Sequence, residues 1–226
     1  MSESNARRRA ALQGLYVITD TTRFVRDELV QAVGDAIEGG ARIVQYRDKS
    51  DDTDRRRAEA AALSALCLRH DCTFIVNDDI DLAIDVGADG VHLGRDDHAL
   101  VDARQRFEEM GLDAIIGVSC YADRQRAEHA AAAGADYLAF GAMFPSPTKP
   151  HAPSASAELL AWARERLGLP VCAIGGITAD NIVDLLPYHP DMVAVISEVF
   201  SSTDIRAAAA ALAEQITKIH DDSETA

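Results

Sequence analysis

Residues 87–93 read GADGVHL and residues 134–140 read GADYLAF. In each stretch a glycine stands where an Ala- and Leu-rich helical pattern should stop, and a short apolar run follows at once. Gly39 stands before a third such run. Working outward, the same alternation fills the chain. Strand candidates are 15–19 (LYVIT), 42–46 (RIVQY), 73–76 (TFIV), 89–93 (DGVHL), 114–118 (AIIGV), 136–140 (DYLAF), 170–174 (PVCAI) and 192–196 (MVAVI). They are nearly continuous apolar runs without strict alternation, as expected of parallel strands buried on both faces. Helical patterns such as Asp54 to His70 and Asp123 to Ala133 lie between them.

Eight strands with eight intervening helices, and no break in composition, predict one α/β domain, a (β/α)₈ barrel over residues 13–219. The chain has 226 residues, close to the roughly 250 typical of that fold. A doubly wound open sheet is the rival, but it seldom uses eight such units at this length. Residues 1–12 and 220–226 read as disordered tails, and the basic start has no apolar stretch or cleavage site of a secretory signal.

Composition narrows the function. The formal net charge is −15, and the isoelectric point is near 4.7. Such a surface repels nucleic acid and anionic membranes, and no apolar run approaches the roughly 20 residues of a membrane span. Cys67, Cys72, Cys120 and Cys172 show no zinc-ligand spacing and are too few for a disulfide scaffold, so reduced thiols and a cytoplasmic setting are expected. Self-association stays open. An acidic protein that handles phosphorylated small molecules needs a local cluster of cations, yet the only lysines are Lys49, Lys149 and Lys218. Two of the three fall at predicted strand ends.

In a barrel of this kind the working residues come from the carboxyl ends of the strands and the loops that follow. After the second strand, Gln45, Arg47 and Lys49 alternate onto one side, where the two cations can grip a phosphate. Asn77-Asp78 and Asp96-Asp97 end neighbouring strands about 4.8 Å apart. Carboxylates so close repel unless a cation sits between them, and a hard ion that also touches phosphate suits Mg²⁺; the rival role for each is helix capping. Gly175-Gly176, followed by Ile177-Thr178 opening a helix, and Ser197 after the eighth strand fit a phosphate cradle. His92 is expected to pack in the barrel mouth, His151 receives no role, and Cys120 has no base beside it.

LYVITD (15–20), QYRDK (45–49), NDDIDLAIDVGADGVHLGRDD (77–97), GVS (117–119), GADYLAFGAMFPSPTK (134–149), AIGGIT (173–178) and AVIS (194–197) occur in that order. With these segments the chain resembles the thiamine-phosphate synthase family across almost its whole length. The resemblance implies a Mg²⁺-dependent transferase that joins a pyrimidine methyl diphosphate to a thiazole phosphate, plain or carboxylated. It implies that diphosphate leaves first and that the thiazole nitrogen then captures a pyrimidine-methyl cation. It further implies that Gln45, Tyr46, Arg47, Asp48, Lys49, Asn77, Ser119 and Lys149 hold the pyrimidine and its diphosphate. Asp78 and Asp97 would bind the metal, while Ser146, Pro147, Thr148, Gly176, Ile196 and Ser197 would hold the thiazole phosphate. Arg47, Lys49, Ser119 and Lys149 are the expected catalytic groups.

The chain departs from the family at Arg95, where Gln is usual, at Ser146, where Thr is common, and at Cys120-Tyr121-Ala122, which replaces a Thr-His pair. These changes bear on the pyrimidine pocket. A thiazole tautomerase-like barrel would need an acid-base His after the fifth strand, and residues 119–127 hold none. A non-catalytic sensor of thiazole phosphate would have no use for paired metal-site carboxylates.

Overall fold

The computed structural model describes residues 11–94, 98–145 and 155–224. Its strands are β1 (Gly14–Ile18), β2 (Ala41–Tyr46), β3 (Thr73–Asn77), β4 (Gly90–Leu93), β5 (Ile115–Tyr121), β6 (Tyr137–Phe140), β7 (Val171–Ile174) and β8 (Met192–Val195). They pair in sequence order, all parallel, and β8 closes on β1. The α-helices among the described residues are α1 (Asp27–Glu38), α2 (Thr53–Arg69), α3 (Ile80–Asp85), α4 (His98–Glu109), α5 (Arg124–Ala132), α6 (Glu158–Leu167), α7 (Ser197–Phe200) and α8 (Ile205–Glu224). The predicted (β/α)₈ barrel is what forms.

Two layers of apolar packing explain the continuous runs. One face of each strand packs outward on the helices, as Val44, Phe74, Val91 and Leu138 do. The other fills the barrel with Tyr16, Ile18, Ile43, Ile75, Ile115, Tyr137, Cys172 and Met192. Leu12, assigned from sequence to the tail, belongs to that interior cluster and is fully buried. At the other end α8 continues to Glu224, past the predicted limit of 219.

The repeated GAD has a structural cause. Asp89 donates its N–H to Phe74 O (2.9 Å) and accepts the Phe74 N–H on its carboxylate (2.8 Å). Asp136 does the same with Ile116, and Asp191 with Val171. Each aspartate thus staples the start of an even-numbered strand to the strand before it. The preceding glycines, Gly87 (φ +64°) and Gly134 (φ +91°), turn the chain out of the helix in a conformation other residues resist. Helix starts are fixed by Asp52, Asp79 and Asp123, whose side chains accept from the N–H groups of Arg55, Leu82 and Arg126.

One connection departs from the sequence reading. After β7 the chain forms no α-helix but a 3₁₀ segment, Ile182–Tyr188, with Pro187 inside it. Proline lacks the N–H that a longer helix would use there. Among the described residues no helix is long and apolar enough to cross a membrane.

Candidate functional site

The carboxyl ends of β1 and β2 are bound together before any functional side chain is placed. Thr19 Oγ1 accepts the Arg47 N–H at 2.9 Å, and the hydroxyls of Thr19 and Thr21 both donate to Arg47 O. The Arg47 backbone is therefore held from the β1 loop, while its side chain remains half-buried at the rim.

Strand alternation separates the QYRDK residues. Gln45 turns into the barrel, where its Nε2 donates to Tyr16 Oη at 2.7 Å. Lys49 crosses to the β3 end and places Nζ 3.0 Å from Asp78 Oδ2. Tyr46 and Asp48 go the other way. Tyr46 is buried against the helices and donates to Glu59 of α2 at 2.8 Å. Asp48 accepts from Arg55 at 2.6 Å and from Ser50, contacts that outweigh the opposing effect of burial and keep its carboxyl ionised below the usual range. Both residues were placed in the substrate site by resemblance. The structure puts them behind the loop, where they brace it, because residues one apart on an extended strand face opposite sides.

Asp78 is the polar centre of the rim. It takes the left-handed conformation (φ +60°), unusual for a residue with a side chain, and its own N–H is held by His92 O. Its Oδ1 accepts the Gly94 N–H at 2.9 Å, and Oδ2 accepts from Lys49 and from Asn77 Nδ2. Partial burial opposes ionisation, but the Lys49 ammonium and these donors prevail and lower its pKa. Asp79, one residue on, caps α3 and pairs with Arg56 at 2.7 Å, so capping is its role. A cleft of about 500 Å³ runs from Lys49, Asn77 and Asp78 outward to Arg56 and Arg106.

Below the rim, inside the barrel, lies a chain of polar side chains that the sequence reading only partly saw. Tyr16 Oη is 2.9 Å from Tyr137 Oη, Tyr137 Oη is 2.8 Å from His92 Nδ1, and His92 Nε2 is 2.8 Å from Ser119 Oγ. His92 indeed packs in the mouth. Burial keeps its imidazole neutral, with the pKa pushed down to about 4. Gly117 makes room for the Tyr137 ring, since a Cβ there would lie 2.0 Å from Tyr137 Cζ. That glycine was the one sequence signal of a bulky neighbour inside the barrel. Arg126 was also missed. From α5 it reaches back to donate to Ser119 O at 2.7 Å and to Gly94 O, joining the ends of β4 and β5.

On the opposite rim the ends of β7 and β8 are adjacent, with Ile174 paired to Ala194. Gly175 (φ +100°) and Gly176 (φ +67°) form the turn, and a Cβ on Gly176 would meet Phe144 O at 2.5 Å. Thr178 does not open a helix. Its N–H and hydroxyl are engaged by Asn181, whose Nδ2 holds Gly176 O at 2.9 Å. The Ala179 N–H donates to Glu198 Oε1 and ties this loop to the one carrying Ser197. Ile196 caps the interior cluster, and Ser197 opens the short α7. Gln45, Arg47, Lys49, Asn77, Asp78, Ser119, Gly176, Ile196 and Ser197 therefore all fall at the same end of the barrel. Arg95, Asp96, Asp97, Ser146, Pro147, Thr148, Lys149 and His151 lie outside the described residues. Among the described residues no group of three or more His, Cys, Asp or Glu side chains is placed to hold a metal. Cys120 is buried and its thiol donates to Val118 O.

Known proteins match this chain at every level. A sequence profile described as Thiamine monophosphate synthase matches residues 15–199. A thiamine-phosphate synthase of Halorhodospira halophila is 52% identical over 204 residues, covering 90% of this chain and 94% of that protein. One of Nitrosococcus oceani is 49% identical over 202 residues, covering 89% and 92%. Among solved structures, a thiamine phosphate pyrophosphorylase from Pyrococcus furiosus superposes with a TM-score of 0.83 at 35% identity, covering 94% of this chain and 98% of that one. The chain belongs to the thiamine monophosphate synthase family.

Proposed function

We propose that this barrel makes thiamine phosphate by joining a pyrimidine methyl diphosphate to a thiazole phosphate with release of diphosphate. The observation that carries this reading is the convergence of Arg47, Lys49, Asn77 and Asp78 on one rim, opposite the Gly176 and Ser197 loops. Family membership supports the transferase assignment.

The chemistry asked of the protein is chiefly electrostatic. A departing diphosphate carries about three negative charges, and fixed positive groups that meet it lower the barrier to its leaving. Arg47 would offer a two-pronged guanidinium and Lys49 a point charge, with Lys149 completing the set. Ser119 and Gln45 would orient the pyrimidine ring. Ser146, Pro147, Thr148, Gly176, Ile196 and Ser197 would hold the thiazole phosphate. No general base is needed, because the attacking thiazole nitrogen uses its own lone pair. The near-attack placement of the two rings supplies much of the remaining acceleration.

A divalent cation fits the donors present. Asp78 is a hard oxygen ligand beside the amide of Asn77, and Mg²⁺ commonly takes one or two carboxylates and completes its shell with waters and substrate phosphate. Asp78, with Asp97, would hold it, and it would add positive charge against the leaving diphosphate. Four reduced, buried cysteines and an acidic surface suit work in the cytoplasm.

The direct test is to incubate the purified protein with both substrates and Mg²⁺. Diphosphate release with formation of thiamine phosphate is expected. Failure to form product with either thiazole form, plain or carboxylated, would favour a sensor.

A further inference from the structure

The buried chain Gln45–Tyr16–Tyr137–His92–Ser119 links strands β2, β1, β6, β4 and β5 at distances of 2.7, 2.9, 2.8 and 2.8 Å. Its hydrogens can be followed one at a time. Gln45 Nε2 donates to the Tyr16 oxygen, so the single Tyr16 hydroxyl hydrogen goes to Tyr137. The Tyr137 oxygen, already an acceptor, then turns its own hydrogen to His92 Nδ1, which must be bare. With Nδ1 accepting from Tyr137, the one ring hydrogen sits on Nε2 and is donated to Ser119 Oγ. Ser119 Oγ is left with its hydrogen facing the mouth, and Gln45 is left with its carbonyl oxygen.

A neutral hydroxyl has one hydrogen, so no link can reverse alone. Turning any one round leaves two donors facing each other, or two bare acceptors, and such a mismatch between buried polar groups is costly. Burial also raises the pKa of both tyrosines, so neither ionises to relieve it. The only other fully satisfied arrangement reverses every link at once, with Gln45 flipped and Ser119 donating inward.

We propose that Tyr16 and Tyr137 are positioning residues that act through His92 to make Ser119 a hydrogen-bond donor, and Gln45 an acceptor, toward the pyrimidine-bearing substrate. The two ends of the pocket thus carry fixed and opposite polarities. A ligand that offers an acceptor at Ser119 and an N–H at Gln45 matches the chain as it stands, whereas one with the reverse pattern must invert five groups. This rests on the transferase reading only for the identity of the ligand, because the direction of the chain is a property of the free protein.

The test begins without substrate. In protein labelled with ¹⁵N at histidine, His92 is expected as the Nε2–H tautomer, and a Nδ1–H tautomer would overturn the proposal. Tyr137→Phe removes the donor to Nδ1, so the tautomer should become mixed and kcat/KM should fall roughly tenfold, the worth of about one hydrogen bond. Combining Tyr137→Phe with Ser119→Ala should cost little beyond Ser119→Ala alone, because the tyrosine acts through the serine. Fully additive losses with an unchanged tautomer would mean that Tyr137 serves only packing. If Tyr137→Phe does not fold, Tyr16→Phe cuts the same chain one link earlier, and the wild-type tautomer still decides the direction. A correct tautomer in a protein that makes no thiamine phosphate would sink the functional reading and leave the chain intact.

Discussion

Lys49 Nζ lies 3.0 Å from Asp78 Oδ2, so the carboxylate proposed to receive a metal already faces a cation supplied by the next strand over. Both side chains are well exposed, 60% and 45%, and a pair this open contributes little to stability. In the proposed function its importance would lie in exchange: a diphosphate entering the rim would draw Lys49 away and free the Asp78 oxygen for a cation.

Asp78→Ala should abolish the dependence of turnover on Mg²⁺ and remove most activity while the fold persists. Among the described residues Asp78 oxygens bind the rim groups Gly94, Asn77 and Lys49, so no core contact is lost there. Titrating diphosphate release against Mg²⁺ checks this, with the far-UV circular dichroism spectrum as the control for folding. Unchanged kinetics would place the metal elsewhere.

Lys49→Met should have two opposite effects. Mg²⁺ measured calorimetrically in the absence of diphosphate should bind more tightly, because its competitor at Asp78 is gone. At the same time kcat/KM should drop about 10- to 100-fold, the worth of one charge-assisted hydrogen bond of roughly 1.5–3 kcal/mol. A fall in both quantities would contradict the exchange.

Gly117→Ala tests the interior. A Cβ at that position would stand 2.0 Å from the Tyr137 ring, with backbone strands on both sides, so the ring must move. Overpacking of this kind costs about 1–3 kcal/mol, read from urea unfolding. Activity should fall with it, because the link from Tyr137 to His92 is broken.

The residues that set the fold were easier to read than those that tune the site. Strands buried on both faces leave unbroken apolar runs, and an aspartate that staples two strands leaves a recurring GAD, so the barrel was visible in the chain. Arg47, Lys49 and Asp78, proposed for the site, were singled out from the sequence because a cationic pair at a strand end is costly to bury without an anionic partner, and because neighbouring strands end in carboxylates. Tyr16 and Tyr137 were not, since a tyrosine within an apolar run looks like any core residue until its hydroxyl partners, on other strands, are known. Arg126 acts from the helix after β5 on backbone carbonyls, which carry no sequence signature. Tyr46 and Asp48 were placed at the site by resemblance, although the alternation that aligned Gln45, Arg47 and Lys49 already turned them outward. The 3₁₀ segment before β8 was read as a helix because the strands alternate with helices elsewhere and Ile177-Thr178 follows the glycine pair, and Pro187 stands against a longer helix there.

Acid should weaken the fold through His92. The histidine is neutral when folded, with a pKa near 4, against 6.5 in an open chain. Above pH 6.5 both states are neutral and its contribution is constant. As pH falls from 6.5 to about 4 the unfolded chain takes up a proton that the folded one refuses, so stability declines, by an amount on the order of 3 kcal/mol. Urea midpoints for the wild type and His92→Asn across that range should converge as pH drops. Parallel curves would show that the ring is not held neutral.

The central claim is that fixed positive charge at the barrel rim stabilises a departing diphosphate. Isothermal calorimetry of inorganic diphosphate in the presence of Mg²⁺, comparing the wild type with the Arg47→Ala, Lys49→Met double variant, tests it most directly. The account predicts that affinity falls at least tenfold in the variant and that the wild-type affinity weakens with added salt. Equal affinities for the two proteins would contradict it.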